Sequence, residues 1–236
     1  MREAGRITAR ALRLIGEAVK PGVTTGHLDE IAEEAVRSSG AMPAFKGYHG
    51  FPAAICASLN DQVVHGIPGD TVLREGDILS VDVGAIFESY YGDSAMTFAV
   101  GQVGDTAVAL MDATRKALDA GIAACVPEKR LYDISNAVQT VVEDAGFSVV
   151  REYVGHGIGR SMHEEPQLPN FGPPGKGPTL ATGMVFAIEP MVNAGQAAVR
   201  SLDDGWTVVT ADGSLSAHFE HTVAVTERGP RILTLE

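Results

Sequence analysis

The sequence predicts an α/β (α+β) protein made of two related halves, each a pair of helices followed by sheet, and three observations carry that prediction. Helical and β-rich stretches alternate as two similar blocks along the 236 residues. The blocks match at a nearly constant offset, the mark of an internal repeat. An apolar hairpin in the first block also holds two acids that a packed core does not tolerate unpaired.

The elements follow in order. Across residues 2–19, apolar side chains recur at Ile7, Ala11, Leu14, Ile15 and Ala18, a helical stripe that Lys20-Pro21-Gly22 ends. Thr24 or Thr25 caps a second helix that buries Leu28, Ile31, Ala35 and Val36 and stops at Ser38-Ser39-Gly40. Gly and Pro punctuate residues 42–52, which read as a loop. A strand fits residues 53–59, and the hairpin spans residues 76–93. Two more helices are expected at residues 106–124 and 132–145. The remainder is mostly β, at residues 148–151, 184–188, 197–202, 206–209, 217–225 and 232–235. Residues 164–178 are too rich in Pro and Gly for regular structure.

The repeat sets the long-range expectation. Residues 73–82 match 180–189 at a shift of 107, and both copies end in an acid, Asp82 and Glu189. Pro21 meets Pro127 and Gly40 meets Gly146 at a shift of 106, and Tyr48-His49-Gly50 falls on Gly155-His156-Gly157 at 107. The pseudo-repeats run over about 1–105 and 106–236 of a single domain, so a site where they meet would take one acid from each.

Chemistry concentrates at five residues, Asp82, Asp93, His156, Glu189 and Glu220. If the hairpin reverses at Phe87-Glu88, partner numbers sum to 175 and Asp82 lies directly opposite Asp93, with Cβ atoms about 5 Å apart. Two like charges that close in an apolar setting call for a shared proton or a cation. Any one of these acids could be a salt-bridged edge-strand residue; four together favour metal. Four carboxylates are balanced by two divalent cations, and an oxygen-rich set with one imidazole suits Mn, Fe, Co or Zn. Such a pair makes a hydroxide nucleophile near neutral pH and polarises a carbonyl. His156 and His163 stand seven apart in a glycine-rich stretch, which permits close backbone approach. His65 by itself reads as a capped loop histidine, His27 and His218 as structural or surface residues, and His49 and His221 as neighbours of the site.

Composition excludes several classes. With 45% hydrophobic and 20% charged residues the chain is an ordinary globular one. No apolar run approaches a membrane span and the N-terminus is not a signal peptide, which predicts a cytoplasmic protein. Cys56 and Cys125 are too few for a disulfide framework or a thiolate zinc site. A formal charge of −12 argues against direct nucleic-acid or anionic-membrane binding.

Residues 60–68, 80–93, 153–166, 184–193 and 214–223 together resemble the diagnostic blocks of type I methionine aminopeptidases, in order and with compatible spacing over essentially the whole chain. The resemblance implies the pita-bread fold, with two pseudo-twofold halves and a central antiparallel sheet, and removal of the N-terminal methionine from nascent chains that carry a small second residue. It implies that Asp93, His156, Glu189 and Glu220 hold one metal and Asp82, Asp93 and Glu220 the other. Glu189 would be the base for a metal-activated water, His163 would stabilise the oxyanion, and His65 would contact the scissile nitrogen. Tyr48, Phe51, Cys56, Met162 and Trp206 would wall the methionine pocket, alongside His65 and His163. Phe51 and Met162 depart from the pattern, which has other aromatics there. Cys56 also fits a buried structural cysteine, and Cys125 reads as structural. The resemblance admits the ribosome as a partner and a monomeric state.

Two other readings compete. Proline-directed peptidases and creatine hydrolases share the fold, although they usually carry an extra N-terminal domain. A non-enzymatic binder on the same fold should have lost ligands, whereas all five stand here with His65 and His163.

Overall fold

The computed structural model describes all 236 residues, Met1–Glu236. Helices α1 (Arg2–Ala18) and α2 (Thr25–Ser38) lie on the first half, and α3 (Asp105–Ala124) and α4 (Leu131–Asp144) on the second. Thr24 caps α2 by accepting a hydrogen bond from the His27 N–H, and the Asp133 carboxylate accepts one from the Arg130 N–H at the start of α4. No helix is long and apolar enough to cross a membrane.

In the first half, β1 (Met42–Pro43) and β2 (Ile55–Leu59) pair with one side of β4 (Ile78–Phe87), and β5 (Tyr90–Ala99) pairs with the other. In the second half, β7 (Gly155–Gly157), β8 (Glu164–Leu168), β9 (Val185–Ile188), β14 (His221–Thr226) and β15 (Gly229–Ile232) form a five-stranded sheet in the order β15-β14-β9-β7-β8. Two three-stranded sheets complete the fold. One joins β6 (Ser148–Val149), β10 (Met191–Asn193) and β13 (Ser216–His218), and the other β3 (Gln62–Val64), β11 (Val199–Ser201) and β12 (Val208–Thr210). All these pairings are antiparallel.

The repeat appears as architecture. Helix α4 follows α2, and β6 follows β1, at the same shift of 106, while β9 begins 107 residues after β4. One proposed match has no structural counterpart. His49 lies in a one-turn 3-10 segment (Tyr48–Gly50), whereas His156 lies on a strand. The position equivalent to His156 is Ser58, because Ser58 pairs with Ser80 of β4 as His156 pairs with Ala187 of β9.

Alternation along β4 separates structure from chemistry. Leu79, Val81, Val83 and Ala85 pack with Ile7, Leu12, Ile15 and Leu28 of the helices, while Ser80, Asp82 and Gly84 take the opposite face by the two-residue period of a strand. In the second half, Leu118, Ile122 and Ile134 cover Phe186, Ile188, Val223 and Val225. The helices therefore sit outside and the opposite faces of the two sheets turn inward.

The hairpin differs from expectation by one turn position. Glu88 and Ser89 carry positive φ of 48° and 65°, the two-residue turn whose twist matches antiparallel strands. Partner numbers thus sum to 177, Asp82 faces Ala95, and Asp93 faces Gly84. The shift moves each partner by two residues and so keeps both acids on one face, but they are diagonal neighbours and not opposite.

Other elements differ as well. Residues 164–168 form strand β8 because β7 offers them a pairing edge. Residues 42–43 pair with Ala85 and Ile86 of β4 inside the stretch read as loop. The strand expected at 217–225 breaks at Phe219-Glu220 into β13 and β14, which belong to different sheets. The last strand is Gly229–Ile232, since Thr226 and Gly229 close a tight hairpin with Gly229 at φ 105°.

The two halves meet along a seam of β5 against β13 and β14. Glu220 N–H donates to the Ala95 carbonyl at 2.9 Å. On either side, hydroxyls replace the direct main-chain bonds. Thr222 Oγ1 accepts from Asp93 N–H at 3.0 Å and donates to the Asp93 carbonyl at 2.8 Å, and Thr97 Oγ1 does the same for His218 at 2.9 Å. Thr222→Val preserves shape but leaves a buried N–H and C=O unpaired, so it should destabilise the protein by about 1–3 kcal/mol in urea unfolding at unchanged m. A loss under about 0.5 kcal/mol would show that the seam does not depend on the hydroxyl.

Candidate metal centre and substrate cleft

Between the halves lies a cleft of about 250 Å³ lined by fourteen residues. Each of the twelve residues singled out from the sequence is among them: Asp82, Asp93, His156, Glu189, Glu220, His65, His163, Tyr48, Phe51, Cys56, Met162 and Trp206. Phe45 is additional, and His49, read from the sequence as a neighbour of the site, completes the lining. Both belong to the aromatic, glycine-punctuated stretch around Tyr48, and that clustering was the available signal.

The acids come from both halves. Strands β4 and β5 bring in Asp82 and Asp93, and the end of β9 and the break before β14 bring in Glu189 and Glu220. Asp93, His156 and Glu220 are buried, with one ligand atom each within 4.8 Å of the others. His156 Nε2 lies 3.6 Å from Glu189 Oε1 and 4.0 Å from Asp93 Oδ2. Asp82 stands on the cleft wall beside Cys56, its partner across the β2–β4 ladder.

Local sequence explains the placement of His156. A Cβ on Gly155 would come within 2.4 Å of the Ala187 carbonyl oxygen, and one on Gly157 within 2.6 Å of that of Glu165. Glycines on both sides thus let β7 enter between β8 and β9. His156 Nδ1 donates to the Gly157 carbonyl at 2.9 Å. That bond assigns the proton to Nδ1 and leaves the Nε2 lone pair facing the acids, the arrangement of a metal-ligating imidazole.

Electrostatics asks for a cation at this position. Burial pushes the carboxyl of Asp93 up to about 7. Burial and the neighbouring acids hold Asp82, Glu189 and Glu220 well above the usual carboxylate range. Desolvation lowers His156 to about 4, which keeps it neutral. Asp82 Oδ1, Asp93 Oδ1 and Glu220 Oε1 are buried without a hydrogen-bond partner, an expensive condition that a divalent ion relieves. The donor set, oxygen-rich with one imidazole, fits such an ion.

Around the acids stand the other imidazoles. The His163 ring lies 4.3 Å from that of His156, and its Nδ1 is 2.7 Å from Tyr48 Oη. His65 adopts φ 60°, a left-handed conformation that persists where the surroundings demand it, and packs edge-on to Tyr153 and Trp206. His218 is not a surface residue. It is buried behind Glu189, with Nε2 3.6 Å from Oε2. His221 points away from the cleft to Thr234 Oγ1 at 2.8 Å, and His27 sits on the surface beside Glu30.

The apolar end of the cleft is built on Gly84. A Cβ there would approach Ala44 Cβ at 2.9 Å, and Met162 Cε and Phe45 Cε1 at 3.0 Å, so glycine lets both side chains reach the floor opposite Asp93. Phe51 meets Trp206 edge-on at 5.0 Å. Trp206 is held by the Asp204 carboxylate, which accepts from the N–H groups of Trp206 and Thr207.

Fold and site together define a metallopeptidase: the chain belongs to metallopeptidase family M24, whose model matches residues 1–227. Methionine aminopeptidase 1 of Bacillus subtilis is 54% identical over 99% of this chain and 94% of its own length. The crystal structure of a methionine aminopeptidase from Thermotoga maritima superposes with a TM-score of 0.99 at 47% identity, covering 100% of this chain and 95% of that one. Within M24, the chain therefore falls among the methionine aminopeptidases and has their pita-bread fold. A prolidase from Pyrococcus furiosus shares the fold at a TM-score of 0.79 but is 21% identical and is covered over 62% of its length.

The raised carboxyls have a measurable consequence. In the metal-free chain the folded state holds protons that the unfolded carboxylates release near pH 4, with Asp93 following only near 7. Stability of the stripped protein should therefore fall as pH rises through that window, because the folded state binds more protons. Metal uptake at pH 6–7 should release protons, seen as calorimetric heats that change with buffer ionisation enthalpy. Buffer-independent heats would contradict the protonated state.

Proposed function

We propose that this chain, acting as one catalytic unit over residues 1–236, removes the N-terminal methionine from peptides and nascent proteins with a small second residue. One observation carries the reading: a single cleft joins four acids and an imidazole to an apolar, aromatic-lined recess. In this reading the chain acts as a monomer. Both cysteines are buried and free, which supports a reducing, cytoplasmic setting.

In this reading Asp93, His156, Glu189 and Glu220 would hold one divalent ion, and Asp82, Asp93 and Glu220 would hold a second. Two ions balance the four carboxylates; Mn, Fe, Co and Zn all suit the donors. When bound, the metal supplies the charge that acidifies water and polarises a carbonyl.

The remaining work falls to side chains. Tyr48, Phe51, Cys56, Met162 and Trp206 enclose an unbranched thioether, with Phe45 at the floor. Glu189 takes the proton from the attacking water. Asn170 steadies it by donating to its main-chain carbonyl at 2.9 Å. The free Nε2 of His163 stabilises the developing oxyanion while Tyr48 holds Nδ1. His65 contacts the scissile nitrogen.

Metal-stripped protein resupplied with Mn, Fe, Co or Zn should release methionine from Met-Ala-Ser and much less from Met-Leu-Ser, and should spare Xaa-Pro peptides. Cleavage of Xaa-Pro without Met-Ala-Ser would overturn the assignment. Asp93→Ala should lose activity and metal together. His163→Ala should keep metal and lower kcat about a hundredfold; equal metal loss in both variants would contradict the division of roles.

A further inference from the structure

We propose that His49 is a substrate-positioning residue for the peptide beyond the scissile bond, its imidazole hydrogen-bonding the main chain of the second residue as it leaves the cleft. The inference rests on the aminopeptidase reading and deepens it. Of the fourteen lining residues only His49 and His163 are exposed. The acids and the apolar recess lie deeper, so the two exposed imidazoles mark the mouth by which a peptide with its first residue enclosed leaves.

Their states differ. Tyr48 Oη occupies His163 Nδ1 at 2.7 Å, whereas no protein hydrogen bond engages the His49 ring, whose nitrogens are left for a ligand. His49 is also held in place. Its backbone is left-handed at φ 47° and ψ 23°, between Gly47 at φ 87° and Gly50 at φ 89°. Its ring meets Tyr48 edge-on with centroids 4.4 Å apart. A side chain kept on a left-handed turn at the mouth of a catalytic cleft is a backbone outlier of the kind that accompanies function. The turn thus presents two imidazoles to the substrate: one through Tyr48 at the reacting carbonyl, and His49 directly at the exit.

Substitution must respect the turn. His49→Gly removes the ring and accepts positive φ without strain, and His49→Asn keeps a donor and tolerates the same conformation. The variants are compared with wild type on Met-Ala-Ser and on methionine p-nitroanilide, which has a scissile amide but no second-residue main chain. His49→Gly should lower kcat/KM on the tripeptide about fivefold more than on the anilide, with the difference in KM, and His49→Asn should recover most of it. Equal changes on both substrates, or none, would overturn the role of His49 while leaving the aminopeptidase intact. Wild-type protein that cleaves neither substrate, at full metal content, would instead overturn the activity and this role with it.

Discussion

The catalytic end of this molecule depends on the seam where β5 meets β13 and β14. Thr222 and Thr97 stand in for absent main-chain partners there, and Ser94 Oγ donates to the Glu220 carbonyl at 2.6 Å. These neutral contacts hold Asp93 from one half against Glu220 from the other. Burial keeps protons on these carboxyls until a cation balances them, and the hydroxyl seam holds the two halves together around the buried cluster.

The rest of the architecture serves that seam. Helices cover only the outer faces, where Leu79, Val81, Val83 and Ala85 alternate with the cleft-facing residues of β4. One strand thus supplies both a packed core and a wall of the acidic cleft. Glycines occupy the places where the two demands collide: Gly84 clears room for Phe45 and Met162, and Gly155 and Gly157 let His156 enter between two strands.

Much of this was legible in the sequence because acids in apolar strands are conspicuous. Asp82, Glu189 and Glu220 each interrupt a run that only a core would want, and the repeat linked Asp82 with Glu189 across 107 residues. Less legible were residues whose role depends on direction. His218 reads equally as a structural or a surface histidine and is the former, buried behind Glu189, while His221 neighbours Glu220 yet faces Thr234, and His49 seemed a counterpart of His156 but lies on a turn. Neighbouring residues in a chain can point to opposite sides, and sequence spacing alone does not say which.

By itself the sequence determined the helices, the doubled plan and the identity of the five acid and imidazole groups, because periodicity, turn residues and misplaced charge are local signals. Tertiary structure decided the rest. The turn at Glu88-Ser89 made Asp82 and Asp93 diagonal, the available edge of β7 turned a Pro-containing segment into β8, and the break at Phe219-Glu220 sent one apolar run into two sheets. Each of these depends on which distant strand offers a hydrogen-bonding edge, and that is settled only when the two halves pack.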